Sequence, residues 1–368
     1  MKFETIDEGF ITQRQIGCGT AVAAGSRCVI TNDKEVLCTY ILQAKLGLND
    51  FKPMLARSKD NGKTWVEQGY LWPHLCDKYS IFGSISRDVK GDCFFYGFRT
   101  KIDAAGESNW SATTQGLKAN ELIWARSTDN GLTWSEPTLI PMPIAGAAEA
   151  PGAMCITKSG VWLCCYAPYN TFDPAVVVDK NQVVAMRSCD QGLSWTHTSM
   201  LRFAQRDSGG AEAWIAELSD GRILGTSWHV NLTDSGDYPN TYALSLDGGI
   251  TWQPTRSTGI IGQATSLCPL HNGRALFIYN QRKHGEVGVW LAIVDPTASD
   301  FGIKANQIIW KAQTRTQSNL EGDHSQWEDF SFGEPSAVIL GDNTILVTVW
   351  CIQPAGRGIY YVKLKLRE

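Results

Sequence analysis

The stretch ARSKDNGKTW, residues 56–65, returns three times with small changes: ARSTDNGLTW at 125–134, MRSCDQGLSW at 186–195 and ALSLDGGITW at 243–252. All four share the form S-x-D-x-G-x-[T/S]-W. In each, the aspartate (Asp60, Asp129, Asp190, Asp247) is placed to accept hydrogen bonds from backbone N–H groups of its own turn. Gly62, Gly131, Gly192 and Gly249 supply the positive φ that a tight hairpin demands. The tryptophan then opens the next strand and packs under the turn. One D-x-G would be ordinary turn chemistry. Four full copies, with serines (Ser58, Ser127, Ser188, Ser245) roughly 60 residues apart, mark a repeat the size of one four-stranded sheet.

A second element precedes the boxes: an apolar strand, a turn carrying Gly or Asp, and another apolar strand. It is seen as GAMCITKSGVWLCCYAP (152–168), WIAELSDGRILGTSW (214–228), SLCPLHNGRALFIYN (266–280) and SAVILGDNTILVTVW (336–350), with earlier versions at 20–40 and 83–98. Six copies predict an all-β, six-bladed propeller, its blades beginning near Gly19, Gly83, Ala150, Ala213, Ala264 and Pro335. Blades five and six lack the box, as in LAIVDPTASDFG (291–302). The final YYVKLKLRE is short of a full blade. The opening strand around Phe3 to Ile11 is expected to complete it and leave no long exposed edge. No linker or low-complexity tract interrupts the scheme, so residues 1–368 are expected to form one domain.

Composition narrows the partners. Hydrophobic residues make up 43% of the 368 and charged residues 19%, enough for a large core. The formal net charge of -4 argues against a nucleic-acid or anionic-membrane partner, and no stretch is long and apolar enough to span a bilayer. The start, MKFETIDEGFITQ, shows no continuous apolar region of a signal peptide. The cysteine count, eleven, is odd, and no CxxC pair occurs; Cys38, Cys93, Cys155, Cys164 and Cys268 lie in apolar runs as small buried hydrophobes. A cytoplasmic location is the expectation, with secretion left open; the sequons at Asn109 and Asn231 are short enough to arise by chance and do not decide between them.

The boxes resemble those of sialidase-type propellers, and that resemblance implies that they lie on the hairpins between third and fourth strands, away from the active face. Chemistry is therefore sought at the opposite end of the axis. That end is lined by the starts of first strands and the ends of second strands. On this count blade two contributes Arg99; blade three Glu149 and Tyr169; and blade four Glu212, Trp214, Trp228 and His229. Blade five contributes Tyr279 and Arg282, and blade six Glu334 and Trp350. Aromatic rings stack on apolar sugar faces, while carboxylates and guanidiniums hold hydroxyls or carboxylates, so the list describes a carbohydrate site. The six histidines show no HxH or HExxH spacing, and neither a Cys/His cluster nor a glycine-rich phosphate loop is present. Neither a metal nor a nucleotide cofactor is expected.

The boxes, the blade count and the GEPSAVIL start of blade six (333–340) resemble the sialidase (neuraminidase) superfamily with its BNR repeats, over nearly the whole chain. The resemblance implies an arginine triad, a Tyr/Glu nucleophilic pair and an aspartate acid/base. Arg282 matches the region of the third arginine and Glu212 the glutamate of the pair. The first arginine's element reads CGTAV (18–22), with Arg14 out of register; the second falls near Trp228 and His229; and Glu334 stands where the tyrosine belongs. The carboxylate clamp is therefore not matched.

Three functions follow. The first is an exo-acting glycoside hydrolase of undefined sugar specificity, with Glu149, Glu212 and Glu334 supplying acid and base or nucleophile and Arg282 anchoring the sugar. The second is a uronic-acid lyase with His229 as base and Arg282 or Arg99 neutralising the carboxylate. The third is a non-catalytic glycan-binding propeller.

Overall fold

The computed structural model describes residues 1–150, 152–233, 236–318 and 324–367. Six antiparallel sheets follow one another along the chain. Blade one runs Val22–Ile30, Val36–Gln43, Lys52–Ser58, Val66–Tyr70, and blade two Tyr79–Arg87, Cys93–Lys101, Asn120–Ser127, Thr138–Ile140. Blade three has an interrupted inner strand, Ala147–Glu149 then Cys155–Ile156, followed by Trp162–Tyr169, Gln182–Ser188 and Thr196–Arg202. Blade four is Ser208–Glu217, Ile223–Asn231, Thr241–Ser245, Arg256–Ser257; blade five is Gln263–Pro269, Ala275–Gln281, Gly288–Val294, Ile303–Lys311. Blade six combines Phe332–Ile339, Ile345–Gln353 and Gly356–Arg367 with the N-terminal strand Lys2–Gln13, which pairs antiparallel with Gly356–Arg367. The ring is closed as the sequence predicts.

Second strands are covered on both faces by neighbouring blades and are continuously apolar, as in VLCTYILQ at Val36–Gln43, buried at every position. Fourth strands face solvent and are polar, as in VEQGY at Val66–Tyr70. The first strands of blades four and six begin at Ser208 and Phe332, earlier than the predicted Ala213 and Pro335. A β-bulge lets each continue past the predicted start toward the axis.

The four boxes share one geometry. The Ser58 hydroxyl donates to Asp60 Oδ1 at 2.8 Å and accepts the Gly62 N–H at 2.8 Å. Asp60 Oδ1 also accepts the N–H of Lys63 (3.0 Å) and Thr64 (2.8 Å), and Oδ2 the Thr64 hydroxyl (2.6 Å). Such donors stabilise the anion: the hydroxyls of Ser194 and Thr251 lead in holding Asp190 and Asp247 down to about 2. The turns also join blades. Arg57 Nη2 donates to the Asn130 carbonyl at 2.8 Å, and Arg187 Nε to that of Gly248 at 3.0 Å.

Gly131 has φ +77°, and a Cβ there would lie 2.3 Å from Leu37 Cδ2 of the preceding blade. Gly131→Ala is therefore expected to cost about 2 kcal/mol or more in urea unfolding. Gly221→Ala, at φ +89° but in open space, is expected to cost only about 1 kcal/mol. All eleven cysteines are free thiols, with Cys38, Cys93, Cys164 and Cys268 buried and Cys155 half-buried.

Candidate active site

The innermost strands of blades one, four, five and six each carry a register shift at an equivalent place: between Ala24 and Arg27, Ala211 and Trp214, Gln263 and Ser266, and Gly333 and Ser336. The residue after the first of each pair lies in the left-handed region: Gly25 (φ 63°), Glu212 (φ 47°), Ala264 (φ 51°) and Glu334 (φ 47°). A bulge re-aims a side chain that regular alternation would send between blades. At Glu212 and Glu334 the left-handed backbone costs of order 1–3 kcal/mol, and such strain gathers at functional sites.

Bonds between blades hold these bulges in place. The Glu212 N–H donates to Glu149 Oε2 at 2.8 Å, and the Thr265 hydroxyl to the Glu212 carbonyl at 3.2 Å. The Ser266 hydroxyl donates to the Pro335 carbonyl at 2.6 Å, and that of Ser336 to the Ser26 carbonyl at 2.8 Å. Arg27 Nη1 donates to the Glu334 carbonyl at 3.0 Å.

Glu149, Glu212, Glu334 and Arg282 thus meet at the floor of a cavity of about 760 Å³, whose wall includes Tyr169, Trp228 and Trp350. These seven predicted residues are brought together. The other four are not. His229 does not line the cavity: its ring lies between Phe203 (4.4 Å, 16°) and Tyr238 (4.6 Å), with Nε2 2.9 Å from the Ser208 hydroxyl. Strand alternation gives Trp228 and Val230 to the cavity, which turns the intervening His229 away. Arg99 follows Phe98, which faces the cavity, and turns outward to pair with Glu121 at 2.8 Å. Tyr279 is buried within its blade, its hydroxyl 3.0 Å from Asn306 Oδ1. Trp214 lies beneath the floor and supports Arg27, whose guanidinium is 4.8 Å from its ring.

Sequence reasoning missed Arg27, which is 2% exposed, because Gly25 reads as a plain strand residue unless taken as the mark of a bulge. It also missed Trp110 and Trp327, wall residues on a two-residue strand and a short 3-10 helix inserted outside the blade repeat, where no blade register guides a reader. Asp237 was missed as well; its Oδ1 accepts from Trp228 Nε1 and its Oδ2 from Gln263 Nε2, both at 3.2 Å. Arg14, out of register in the sequence, pairs with Glu67 away from the cavity.

The electrostatics of the floor follow from three carboxyls and two guanidiniums in a small desolvated volume. Burial pushes Glu149 up to about 8, opposed by the Glu212 amide and reinforced by Glu334. Glu212 is pushed well up by burial, then by Glu334 and Glu149, with Arg282 and Arg27 opposing. Burial also raises Glu334, against the pull of Arg27 and then Arg282. At Glu334 the pull of Arg27 and Arg282 is the leading opposition to burial, whereas at Glu212 the neighbouring carboxyls outweigh the same two guanidiniums, so Glu334 gives up its proton more readily than Glu212. Glu212 Oε2 has no hydrogen-bond partner. Burial pushes the Tyr169 phenol far up, with Glu149 and Glu212 adding to it, so Tyr169 stays neutral.

His229 carries a prediction about stability. Burial lowers it to about 4, so below its unfolded value of about 6.5 the unfolded chain binds the proton first. Its contribution is complete above pH 6.5 and is lost as pH falls toward 4, about 2–3 kcal/mol in all. Urea unfolding at pH 7 and pH 4.5 is expected to show a smaller acid loss in His229→Gln than in the wild type.

Loops wall the cavity on several sides. Leu48 of blade one bridges to Ser108 of the blade-two loop, and Gly116 of that loop bridges to Asn170 of blade three. Trp110 meets Tyr169 and Trp327 edge-on, each with ring centroids at 6.5 Å. The result is a pocket rather than an open cleft.

Comparison with known proteins agrees with this architecture. Residues 106–317 match the family described as BNR repeat-like domain. A sialidase of Bacteroides fragilis (strain YCH46) is 24% identical over 227 residues, 55% of this chain and 37% of that protein, so the match spans well under half of the relative's length. A crystal structure of a protein of unknown function from Dyadobacter fermentans DSM 18053 superposes with a TM-score of 0.74 at 19% identity, covering 99% of both chains. The Hadza microbial sialidase Hz136 does so with a TM-score of 0.69 at 17% identity, covering 98% of this chain and 68% of that one. At these identities the structures establish a shared sialidase-type propeller fold.

Proposed function

Because the chain belongs to the BNR repeat-like domain family, we propose that its axial cavity is the active site of an exo-acting glycoside hydrolase. The observation that carries this reading is the floor: glutamates from blades three, four and six gathered around two buried guanidiniums in a walled pocket. Hydrolysis of a glycosidic bond needs one carboxyl that keeps its proton and one that does not. Glu212 is assigned as the general acid, since its pKa is strongly raised and its Oε2 is unpartnered. Glu334 is assigned as nucleophile or base, because Arg27 and Arg282 favour its charged form against burial. Glu149 fixes the Glu212 backbone and adds to the field that keeps Glu212 protonated. Tyr169, Trp228 and Trp350 offer surfaces for the sugar. The lyase with His229 as base is less favoured, because that ring is packed between Phe203 and Tyr238 away from the cavity.

The test is release of free sugar from a panel of glycosides by the purified protein. Turnover that Glu212→Gln and Glu334→Gln abolish supports the assignment; turnover that survives both removes it. An unsaturated product absorbing in the ultraviolet would show elimination instead.

A further inference from the structure

We propose, resting on the hydrolytic reading of the same cavity, that the substrate is an uncharged sugar carried on an apolar, ring-containing aglycone. The first support is the state of the guanidiniums. Arg282 donates from Nε (3.0 Å) and Nη2 (2.8 Å) to the Phe332 carbonyl and from Nη1 to Gln263 Oε1 at 3.2 Å, and it lies 3.9 Å from the Phe330 ring. Arg27 donates from Nη1 to the Ser26 and Glu334 carbonyls and lies against Trp214. Their charges already face Glu212 and Glu334. A substrate carboxylate would compete with Glu212 and Glu334 for these charges and settle beside three glutamates, with Lys180 as the other cation among the described lining residues. An uncharged sugar meets no such barrier and uses the carboxylates as hydroxyl acceptors.

The second support is an aromatic shelf that begins at Glu334. A Cβ on Gly25 would lie 2.8 Å from Phe82 Cζ and 3.7 Å from Glu334 Oε2, so the glycine leaves ring and carboxylate next to each other. Phe82 stacks on Phe98 (5.6 Å, 13°) and meets Phe51 edge-on (5.8 Å). Beyond them the cavity is lined by Ile41 and Leu46, and by Trp327 with its neighbour Trp110. A leaving group lying there would rest on a mainly apolar ring surface, which a flat apolar ring system covers more fully than a second sugar, with Gln43 and Asn109 as polar neighbours.

Calorimetric binding to the Glu334→Gln variant tests the substrate class. The probes are methyl, phenyl and naphthyl glycosides of glucose, galactose, rhamnose and arabinose, with phenyl glucuronide and a phenyl sialoside for charge. In at least one neutral series, the naphthyl glycoside is expected to bind about tenfold or more tighter than the methyl glycoside. Phenyl glucuronide is expected to bind more weakly than phenyl glucoside. Trp110→Ala and Trp327→Ala should erase most of the aglycone gain and leave methyl glycoside binding within about twofold. Absence of any aglycone gain, tighter binding of the glucuronide or sialoside, or no binding by any aromatic neutral glycoside overturns the proposal. The two readings fail separately: the expected binding pattern without wild-type turnover removes hydrolysis alone, while turnover confined to a sialoside or glucuronide removes the substrate class alone.

Discussion

Glu334→Gln is expected to lower kcat/KM by about a thousandfold with the fold intact, because it removes the carboxylate assigned as nucleophile or base. Glu212→Gln should cause a loss of similar order, relieved on substrates whose leaving groups need no protonation. Relief in Glu212→Gln but not in Glu334→Gln identifies Glu212 as the acid; the reverse pattern exchanges the roles. The pH dependence has a definite sign. Activity needs Glu334 ionised and falls as pH drops through its raised value; it needs Glu212 protonated and falls again as pH rises through the values of Glu212 and Glu149, the latter about 8. Arg27→Met removes the first of the two charges that hold Glu334 down. It is therefore expected to move the acid limb upward. An unmoved acid limb would show that Arg27 only supports the packing.

Removing residues 1–13 is expected to abolish the cooperative unfolding transition. The strand Lys2–Gln13 pairs along Gly356–Arg367, and Phe3 and Ile11 are 2% and 6% exposed. Loss of each such side chain costs about 2–5 kcal/mol, and the long strand Gly356–Arg367 would become an open edge. Total stability of ordinary domains is only about 5–15 kcal/mol. A synthetic peptide of residues 1–13 added to the truncated protein should restore a cooperative melt by strand addition. A truncated protein that melts within a few degrees of the full chain would show that closure contributes little.

What was legible in the sequence was local or periodic. The boxes are contiguous ten-residue motifs, and the hairpins that precede them carry their own turns, so the six blades and the closing strand could be read directly. Glu149, Glu212, Glu334 and Arg282 were legible because each lies at a countable distance from such a turn. Parity was the weak point. His229 and Arg99 lie at the right height along the axis but on the other face of their strands, an error of one residue, whereas Tyr279 lies deeper in its blade, where neither neighbour lines the cavity. Arg27 was hidden by a bulge, and Trp110 and Trp327 by insertions outside the blade repeat whose course is set only by tertiary contacts.

The left-handed positions at Gly25, Glu212, Ala264 and Glu334 also bear on how such a ring changes over time. Each is a socket set in a bulge with the ladder on either side already paired, and at Glu212 and Glu334 the occupant reaches the central cavity. Swapping the occupant alters the chemistry at the hub with little demand on the rest of the sheet. Two of the four sockets hold glutamate, while at Gly25 an added Cβ would fall 2.8 Å from Phe82 Cζ, so a change there must be matched by a change at that ring.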